Sequence, residues 1–310
     1  MSYLLGIDLG TSSLKSMLVS ENGQMAGLSA RAYQFASPRN GFAEHDPREW
    51  WQACAETVKE VLMKSAVSKE EVKGLSFSGQ MHGAVMLDKD YNVVRPAILH
   101  CDARSGVQVE KLKDILGEEK IKEIIMNPIY TGFLLPSLMW VKDNEPENYE
   151  KIAHVMLPKD YLKFRMTGVV STDYSDASAT LAFDIRKNCW SEEVLNAVEI
   201  PLEWFPPCYG TTEATETVCS QTAEELGLST KTVVVAGGGD QVMQGIGNGI
   251  TRVGQACSNI GTSGQISFQA GEAVLNPALN TNTFCGYKKG RWFTMGAIMN
   301  AGLSYKWYNS

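Results

Sequence analysis

The stretch Gly6-Ile7-Asp8-Leu9-Gly10-Thr11-Ser12-Ser13-Leu14-Lys15 decides how the rest of the chain is interpreted. Apolar runs at 3–7 and 16–19 predict two strands joined by a turn. Glycine lets a backbone come close to a ligand, and turn amides and hydroxyls donate hydrogen bonds to phosphate oxygens. Asp8, at the end of the first strand, can hold a hydrated divalent cation beside them. An ordinary β-hairpin with a turn rich in Gly and Ser explains the same residues equally well.

A second stretch, Ser258-Asn259-Ile260-Gly261-Thr262-Ser263-Gly264-Gln265-Ile266-Ser267, repeats this pattern downstream. Aligned on the first, it places Asn259 at the position of Asp8 and 261–263 at the position of 10–12. Internal repeats can decide a fold, and two such turns predict two related halves that hold one polyphosphate between them. The offset between the stretches far exceeds the length of chain that follows the second. We therefore expect the chain to stop inside its second domain.

The composition favours a soluble protein with a sizeable core. The 310 residues are 44% hydrophobic and 20% charged, and this length suggests two domains. The net charge of -7 and the scattered basic residues argue against a nucleic-acid partner or an anionic membrane surface. Seven cysteines form no Cys-x-x-Cys pair, which predicts reduced thiols. The first strand follows no basic leader, and no apolar run reaches roughly 18 residues, so we expect a cytoplasmic location without membrane contact.

Two polar segments that follow predicted strands are candidates for ligand contact. The strand at 72–77 enters Ser78-Gly79-Gln80-Met81-His82-Gly83, and glycine in a strand marks a bulge or a close approach to the backbone. A neutral His82 imidazole can face a hydroxylated ligand, or a carbonyl within the sheet can satisfy it. Asp102 and Arg104 follow a later strand, where ligand contact and a simple ion pair are both open.

The glycines at 237–239 make Asp240 the strongest candidate for a catalytic residue. They follow a predicted buried strand at 232–236. Glycine allows a tight turn there and leaves the next carboxylate accessible, so that it can take a proton from an attacking hydroxyl. The alternative is that Asp240 caps the helix that follows, although a cap alone does not require three glycines.

Two local predictions concern other parts of the chain. Asp46 is expected to cap a helix, with Pro47 in its first turn and Glu49 completing a capping box. The polar segment Thr172-Asp173-Tyr174-Ser175-Asp176-Ala177-Ser178 is expected to be a surface connection, with the lining of a cleft as the alternative.

Five motifs in order resemble the FGGY carbohydrate kinases, closest to the xylulose-kinase branch of that family. They are the first phosphate motif at 8–15, the pentulose-binding segment at 78–83, the stretch at 95–104, the catalytic-aspartate loop at 237–240 and the second phosphate motif at 261–263. The resemblance implies an α/β, ribonuclease H-like fold, the ASKHA fold of actin, Hsp70 and sugar kinases. It also implies a complete first domain, 1–246, that binds the sugar, and a partial ATP-binding second domain, 247–310.

The same resemblance implies ATP-dependent phosphorylation of a ketopentose, D-xylulose to D-xylulose 5-phosphate, with Mg²⁺. Asp240 is then the general base, and Asp8 positions the metal through water. The residues implied at the sugar are Met81, His82, Asp102, Arg104, Asp240 and Gln241. The residues implied at the ATP phosphates are Thr11, Ser12, Ser13, Lys15, Gly261, Thr262 and Ser263.

The chain departs from the family pattern in two places. It has His100-Cys101-Asp102 where many of these kinases have Trp-Asn-Asp, and Gln241 where Asn is common. The exact sugar therefore stays open, with ribulose, gluconate and glycerol as alternatives. Because the family's adenosine-binding motif lies beyond position 310, a sugar-binding but catalytically inactive fragment is the competing hypothesis. Sugar and ATP are the expected partners, and the sequence leaves a homodimer open.

Overall fold

The structure of the chain is a computed structural model that describes residues 1–260, 264–298 and 300–308. The strands are β1 Tyr3–Leu9, β2 Ser13–Ser20, β3 Met25–Ala32, β4 Glu44–His45, β5 Val72–Gly79, β6 Val85–Leu87, β7 Ala97–Ile98, β8 His154–Met156, β9 Thr172–Asp173, β10 Phe183–Asp184, β11 Cys189–Trp190, β12 Cys208–Tyr209, β13 Ala214–Thr217, β14 Val233–Val235, β15 Gly238–Gly239, β16 Ala256–Ile260, β17 Gly264–Ala270, β18 Asn282–Cys285 and β19 Trp292–Ile298. The α-helices are α1 Pro47–Ser65, α2 Gly106–Lys120, α3 Leu134–Asn144, α4 Pro146–Tyr149, α5 Pro158–Thr167, α6 Tyr174–Ser178, α7 Glu192–Ala197, α8 Ser220–Leu226, α9 Asp240–Gly247 and α10 Gly302–Tyr308, with a π-helical turn at Ile121–Ile125 and a 3₁₀ turn at Leu202–Trp204.

The first sheet has the order β13-β14-β5-β1-β2-β3, and β15 also pairs with β5. Strands β1, β5 and β14 run parallel, whereas β2, β3 and β13 are antiparallel to their neighbours. The predicted opening hairpin is present, and its strands extend beyond the apolar runs because the ladder continues until Leu9 pairs with Leu14. The carboxyl ends of β1, β5 and β14 consequently meet at one edge of the sheet, where open α/β sheets bind ligands.

Helix α1 packs against β2 and β3, and the sequence specifies where it begins. The Asp46 side chain accepts a hydrogen bond from the Arg48 backbone N–H at 2.9 Å, and Pro47 is the first helical residue. The expected capping box does not form. Glu49 Oε2 lies 3.0 Å from Nε2 of the buried His45 instead, because that imidazole nitrogen needs a polar partner inside the protein.

The segment 172–178 is buried, so the prediction of a surface connection is wrong. It forms β9 and α6, and five of its polar residues are at most 1% exposed: Thr172, Asp173, Ser175, Asp176 and Ser178. The reason is a buried ammonium group on α5, since Lys159 Nζ lies 2.9 Å from Asp173 Oδ1 and 3.3 Å from Asp176 Oδ2. Buried carboxylates need such a partner.

The second sheet has the antiparallel order β16-β17-β19-β18. It contains the second predicted hairpin, with Asn259 paired to Gln265. The predicted turn at Gly261, Thr262 and Ser263 lies outside the described residues. Within the described ranges, no helix is both long and apolar enough to cross a membrane.

The second sheet exposes an apolar patch formed by Ile260, Ile266 and Ile298, which are 74%, 60% and 60% exposed. Strand β17 joins them, since Gly264 pairs with both Ile260 and Ile298. Contiguous exposed apolar surface favours association with other apolar surfaces.

We expect the isolated chain to self-associate through this patch. The double substitution Ile266→Lys with Ile298→Lys should reduce the concentration-dependent rise in mass measured by light scattering. Met63→Lys is the matched control, because Met63 is 75% exposed on α1, outside the patch. A wild-type chain that stays monomeric at all concentrations would contradict this prediction.

Candidate functional site

The candidate site lies where the parallel strands of the first sheet end. Asp8 pairs with Ser78 across β1 and β5, and Gly238 pairs with the same Ser78 from the other side. Since Asp240 follows β15 directly, this register brings the two predicted functional carboxylates, Asp8 and Asp240, to one edge of the sheet.

The first opening at this edge is a cavity of about 230 Å³, here called the His82 cavity. It brings together four of the residues predicted at the sugar with parts of the phosphate turn and of the second sheet. Its lining consists of Gly10, Thr11, Gln80, Met81, His82, His100, Asp240, Gln241, Gln265, Phe284 and Met295.

The second opening is an adjacent cavity of about 430 Å³, here called the Asp8 cavity. It is lined by Asp8, Ser78, Asp240, Gln241, Met243, Gln244 and Asn259. Asn259, which the sequence repeat aligns with Asp8, therefore faces the same space as Asp8. Asp240 and Gln241 belong to both cavities and form the boundary between them.

Backbone geometry explains the glycines before Asp240. Gly237 has φ +73°, and a Cβ there would lie 2.3 Å from the Phe77 carbonyl oxygen. A Cβ on Gly239 would lie 2.8 Å from the Met81 side chain. Helix α9 begins at Asp240 with Gly239 at the N-cap position, and no side chain caps it. The close approach of Gly237 to β5 and of Gly239 to Met81, and not helix capping by Asp240, therefore accounts for these two glycines.

The Asp240 carboxyl group is accessible from the cleft, yet protein atoms surround much of it. This partial desolvation, together with the nearby Asp8 carboxylate, raises the pKa of Asp240 to about 6. A pKa near the working pH suits a group that accepts a proton in one step and releases it later.

The sequence left two partners open for His82, a hydroxylated ligand or a carbonyl within the protein, and the geometry is compatible with both at once. Its Nδ1 lies 2.7 Å from the Ala179 carbonyl oxygen, so Nδ1 carries the proton, because a carbonyl can only accept. The ring packs on Phe133 with centroids 4.2 Å apart, and burial lowers the pKa of His82 to about 4. A neutral imidazole with Nε2 as a hydrogen-bond acceptor is therefore present at the cavity.

The phosphate turn is held by local contacts. The Gly10 N–H donates to the Ser13 carbonyl at 3.0 Å, and Tyr33 Oη donates to the Gly10 carbonyl at 2.6 Å. Thr11 Oγ1 lies 3.5 Å from Gln80 Oε1 and faces the His82 cavity. Ser12, Ser13 and Lys15 belong to the lining of neither cavity.

Asp102 and Arg104 form a buried ion pair outside both cavities. Arg104 Nε and Nη2 donate to the two Asp102 oxygens at 2.9 and 2.7 Å, and the Ala43 N–H donates to Asp102 Oδ2 at 2.6 Å. The guanidinium also stacks on Phe42 at 3.9 Å and pairs with Glu44 at 2.6 Å. The geometry therefore favours the ion-pair alternative, and direct sugar contact by this pair stays a prediction.

Sequence reasoning missed several cavity residues. Gln80 is 3% exposed, and its Nε2 has no hydrogen-bond partner among the described residues. Gln265 Oε1, from β17, is likewise buried without a partner in that part of the chain. A buried donor and a buried acceptor of this kind cost free energy unless a ligand or water satisfies them. Gln80 and His100 lie inside motifs that the sequence had already singled out, and Gln265 lies in the repeated stretch, but nothing marked Phe284 or Met295.

The Asp8 cavity fits a magnesium ion in contact with phosphate. Mg²⁺ is usually held by one or two carboxylates, waters and substrate phosphates, not by a protein cage. Asp8 and Asp240 supply two carboxylates to this cavity, and the described residues contain no group of three or more ligating side chains.

We expect the effect of Asp240→Asn on the free energy of unfolding to depend on pH. Because the folded state raises the pKa of Asp240, it binds the proton more tightly than the unfolded state, and stability falls as the carboxyl ionises between pH 4 and 7. Denaturant unfolding gives the difference in unfolding free energy between the variant and wild type at each pH. This difference should be about 1 kcal/mol more favourable to the variant at pH 7 than at pH 4, a figure reduced for partial exposure. Asp90→Asn, in an exposed turn, is the control. A gain of equal size at both pH values would contradict the assignment.

The comparisons with known proteins agree with this geometry. Residues 3–247 match the N-terminal domain of the FGGY family of carbohydrate kinases. The xylulose kinase of Bacillus subtilis (strain 168) is 38% identical over 308 residues, which cover 99% of this chain and 62% of that protein.

Solved structures show the same fold. The crystal structure of a "xyloylose kinase" from Brucella ovis superposes with a TM-score of 0.93 at 31% identity, covering 99% of this chain and 63% of that one. A gluconate kinase from Lactobacillus acidophilus also has a TM-score of 0.93, at 23% identity, over 100% of this chain and 62% of that one. The chain thus spans somewhat less than two thirds of the length of these relatives. It belongs to the FGGY family of carbohydrate kinases.

Proposed function

We propose that this chain carries the sugar site, the general base and the first phosphate turn of an ATP-dependent ketopentose kinase that converts D-xylulose to D-xylulose 5-phosphate. The observation that supports this most directly is the position of Asp240, which lines both the His82 cavity and the Asp8 cavity. A base between an acceptor site and a phosphate site is the arrangement that phosphoryl transfer to a hydroxyl requires.

In the proposed reaction, the sugar lies in the His82 cavity with one hydroxyl beside Asp240. Asp240 accepts the hydroxyl proton as the sugar oxygen bonds to the γ-phosphorus of ATP and the bond from that phosphorus to the bridging oxygen breaks. The raised pKa of Asp240 lets it hold this proton until product leaves. Positioning of the two reactants supplies much of the rate.

We propose that Thr11, which faces the His82 cavity, and the turn amides contact ATP oxygens, with Ser12, Ser13, Lys15 and the residues at 261–263 as further contacts. Asp8 would hold Mg²⁺ through water, and the bound metal would neutralise phosphate charge. Asp8 lines the Asp8 cavity, where such an ion would lie beside the phosphates.

The cavity chemistry supports a polyhydroxylated acceptor. His82 Nε2 and Gln265 Oε1 offer acceptors, and Gln80 Nε2 offers a donor. The relative with 38% identity is a xylulose kinase, which favours D-xylulose. Ribulose, gluconate and glycerol remain the alternative acceptors, since the gluconate kinase shares the fold.

The competing proposal is a fragment that binds sugar without catalysis. Its support is the length of the chain, which covers 62% of the Bacillus subtilis relative. The proposed domains, 1–246 and 247–310, the homodimer and the cytoplasmic location stay predictions.

Calorimetry and turnover assays separate the two proposals. We expect D-xylulose to bind more tightly than ribulose, gluconate or glycerol, and Asp240→Asn to abolish phosphoryl transfer while retaining sugar binding. Asp90→Asn is the matched control. Sugar binding without Mg-ATP binding or turnover in the wild type would favour the fragment, and full turnover by Asp240→Asn would exclude Asp240 as the base.

The orphaned amide of Gln80 gives a second test. Gln80→Leu should weaken D-xylulose binding about tenfold, because one buried hydrogen bond to the ligand is lost. Gln221→Leu, on an exposed position of α8, is the control for the loss of an amide. Calorimetry that finds equal affinities for wild type and Gln80→Leu would show that Gln80 does not contact the sugar.

A further inference from the structure

Five charged side chains are buried together beneath the strand ends that carry the site. They are Lys159, Asp160, Lys163, Asp173 and Asp176, here called the buried charge network, and each is at most 1% exposed. Charged side chains are rarely buried so completely, because removal from water costs more than most ion pairs return. None of them lines the His82 or the Asp8 cavity.

Lys159 is the centre of the network. Its Nζ lies 2.6 Å from Asp160 Oδ1, 2.9 Å from Asp173 Oδ1 and 3.3 Å from Asp176 Oδ2. One ammonium group therefore joins α5, β9 and α6. The Cβ of Lys159 packs against β5, because a Cβ on Gly79 would lie 2.9 Å from it.

The network reaches both ends of the glycine run. At the near end, Lys163 Nζ donates to the Ala236 carbonyl at 3.3 Å. At the far end, the Gly239 N–H donates to Ser175 Oγ at 3.1 Å, and the Ser175 hydroxyl donates to Asp173 Oδ2. The Ser175 N–H donates to the same Asp173 oxygen at 2.8 Å. Gly239 is thus connected to Lys159 through Ser175 and Asp173.

Burial and ion pairing shift the pKa values of three members of the network, Lys159, Asp176 and Lys163. Burial opposes the charged form of Lys159, but the three carboxylates outweigh it and raise the pKa of Lys159 well above its ordinary value. Burial also raises the pKa of Asp176 well above the ordinary value for a carboxyl group, which favours its protonated form. Burial lowers the pKa of Lys163 to about 8.

We infer that the buried charge network positions Asp240 by fixing the backbone at Ala236 and at Gly239, with Ser175 as the positioning residue that contacts Gly239. This inference rests on the proposed function for its catalytic meaning. The glycines have no side chains that could anchor the loop, so its placement depends on main-chain contacts, and the network supplies one at each end.

The test uses Ser175→Ala in the full chain. This substitution removes the acceptor of the Gly239 N–H without removing a buried charge. Ser191→Ala is the matched control, since Ser191 is a buried hydroxyl that accepts the Val194 N–H at 3.2 Å at the start of α7. Ser175→Thr keeps the hydroxyl and is the conservative variant that should restore wild-type behaviour.

The readouts are amide hydrogen exchange at residues 236–240 and calorimetric binding of D-xylulose. We expect Ser175→Ala to speed exchange at Gly239 about tenfold and to weaken D-xylulose binding by a similar factor, as for one lost buried hydrogen bond. Ser191→Ala should lower the melting temperature without changing either readout. Lys163→Met provides a second variant, which should speed exchange at Gly237 by releasing the Ala236 carbonyl.

The inference would be overturned if the amide exchange rates of residues 236–240 in both Ser175→Ala and Lys163→Met equalled those of the wild type. Equal changes in Ser175→Ala and Ser191→Ala would also overturn it, because they would show a general loss of stability. If the wild-type chain binds no sugar, the proposed function fails for this chain, while the exchange measurement still decides whether the network holds the loop.

Discussion

The parallel pairing of β1 with β5 and of β5 with β15 is the constraint on which the site depends. This register places Asp8 beside Ser78 and Gly238 beside the same Ser78. Two carboxylates that lie far apart in the sequence consequently share one sheet edge, where they line one cavity and where Asp240 also faces a second. Under the proposed function, a hydroxyl acceptor in the His82 cavity and a phosphate group in the Asp8 cavity would meet at Asp240.

The sequence could predict the features that depend on local pattern. The apolar runs predicted β1, β2 and β5, the residue types at Asp46 and Pro47 predicted the start of α1, and the glycines before Asp240 predicted a constrained turn. The family and the fold followed from the order of five short motifs, none of which is specific alone. The predictions of single elements succeed because each relies on residues that are close in the chain, and each of the five motifs is likewise short and local.

The predictions that failed depend on contacts between distant residues. The segment 172–178 reads as surface because it is polar, and its burial depends on Lys159, more than ten positions earlier and on another element. Glu49 contacts His45 instead of capping its own helix. Gln265, Phe284 and Met295 reach the His82 cavity only because the second sheet packs over it, and no local pattern records that packing.

The steric environment of Gly237 has a consequence for how substrate preference can change in this protein. A side chain at that position would overlap the Phe77 carbonyl. The residues of the buried charge network, which contact this loop at both ends, form ion pairs with one another. The loop before Asp240 therefore tolerates little substitution. Under the proposed function the His82 cavity holds the sugar, and Gln265, Phe284 and Met295 reach that cavity from strands β17, β18 and β19. Divergence toward another sugar would then fall on these three side chains, while Asp240 and the loop before it stay constant.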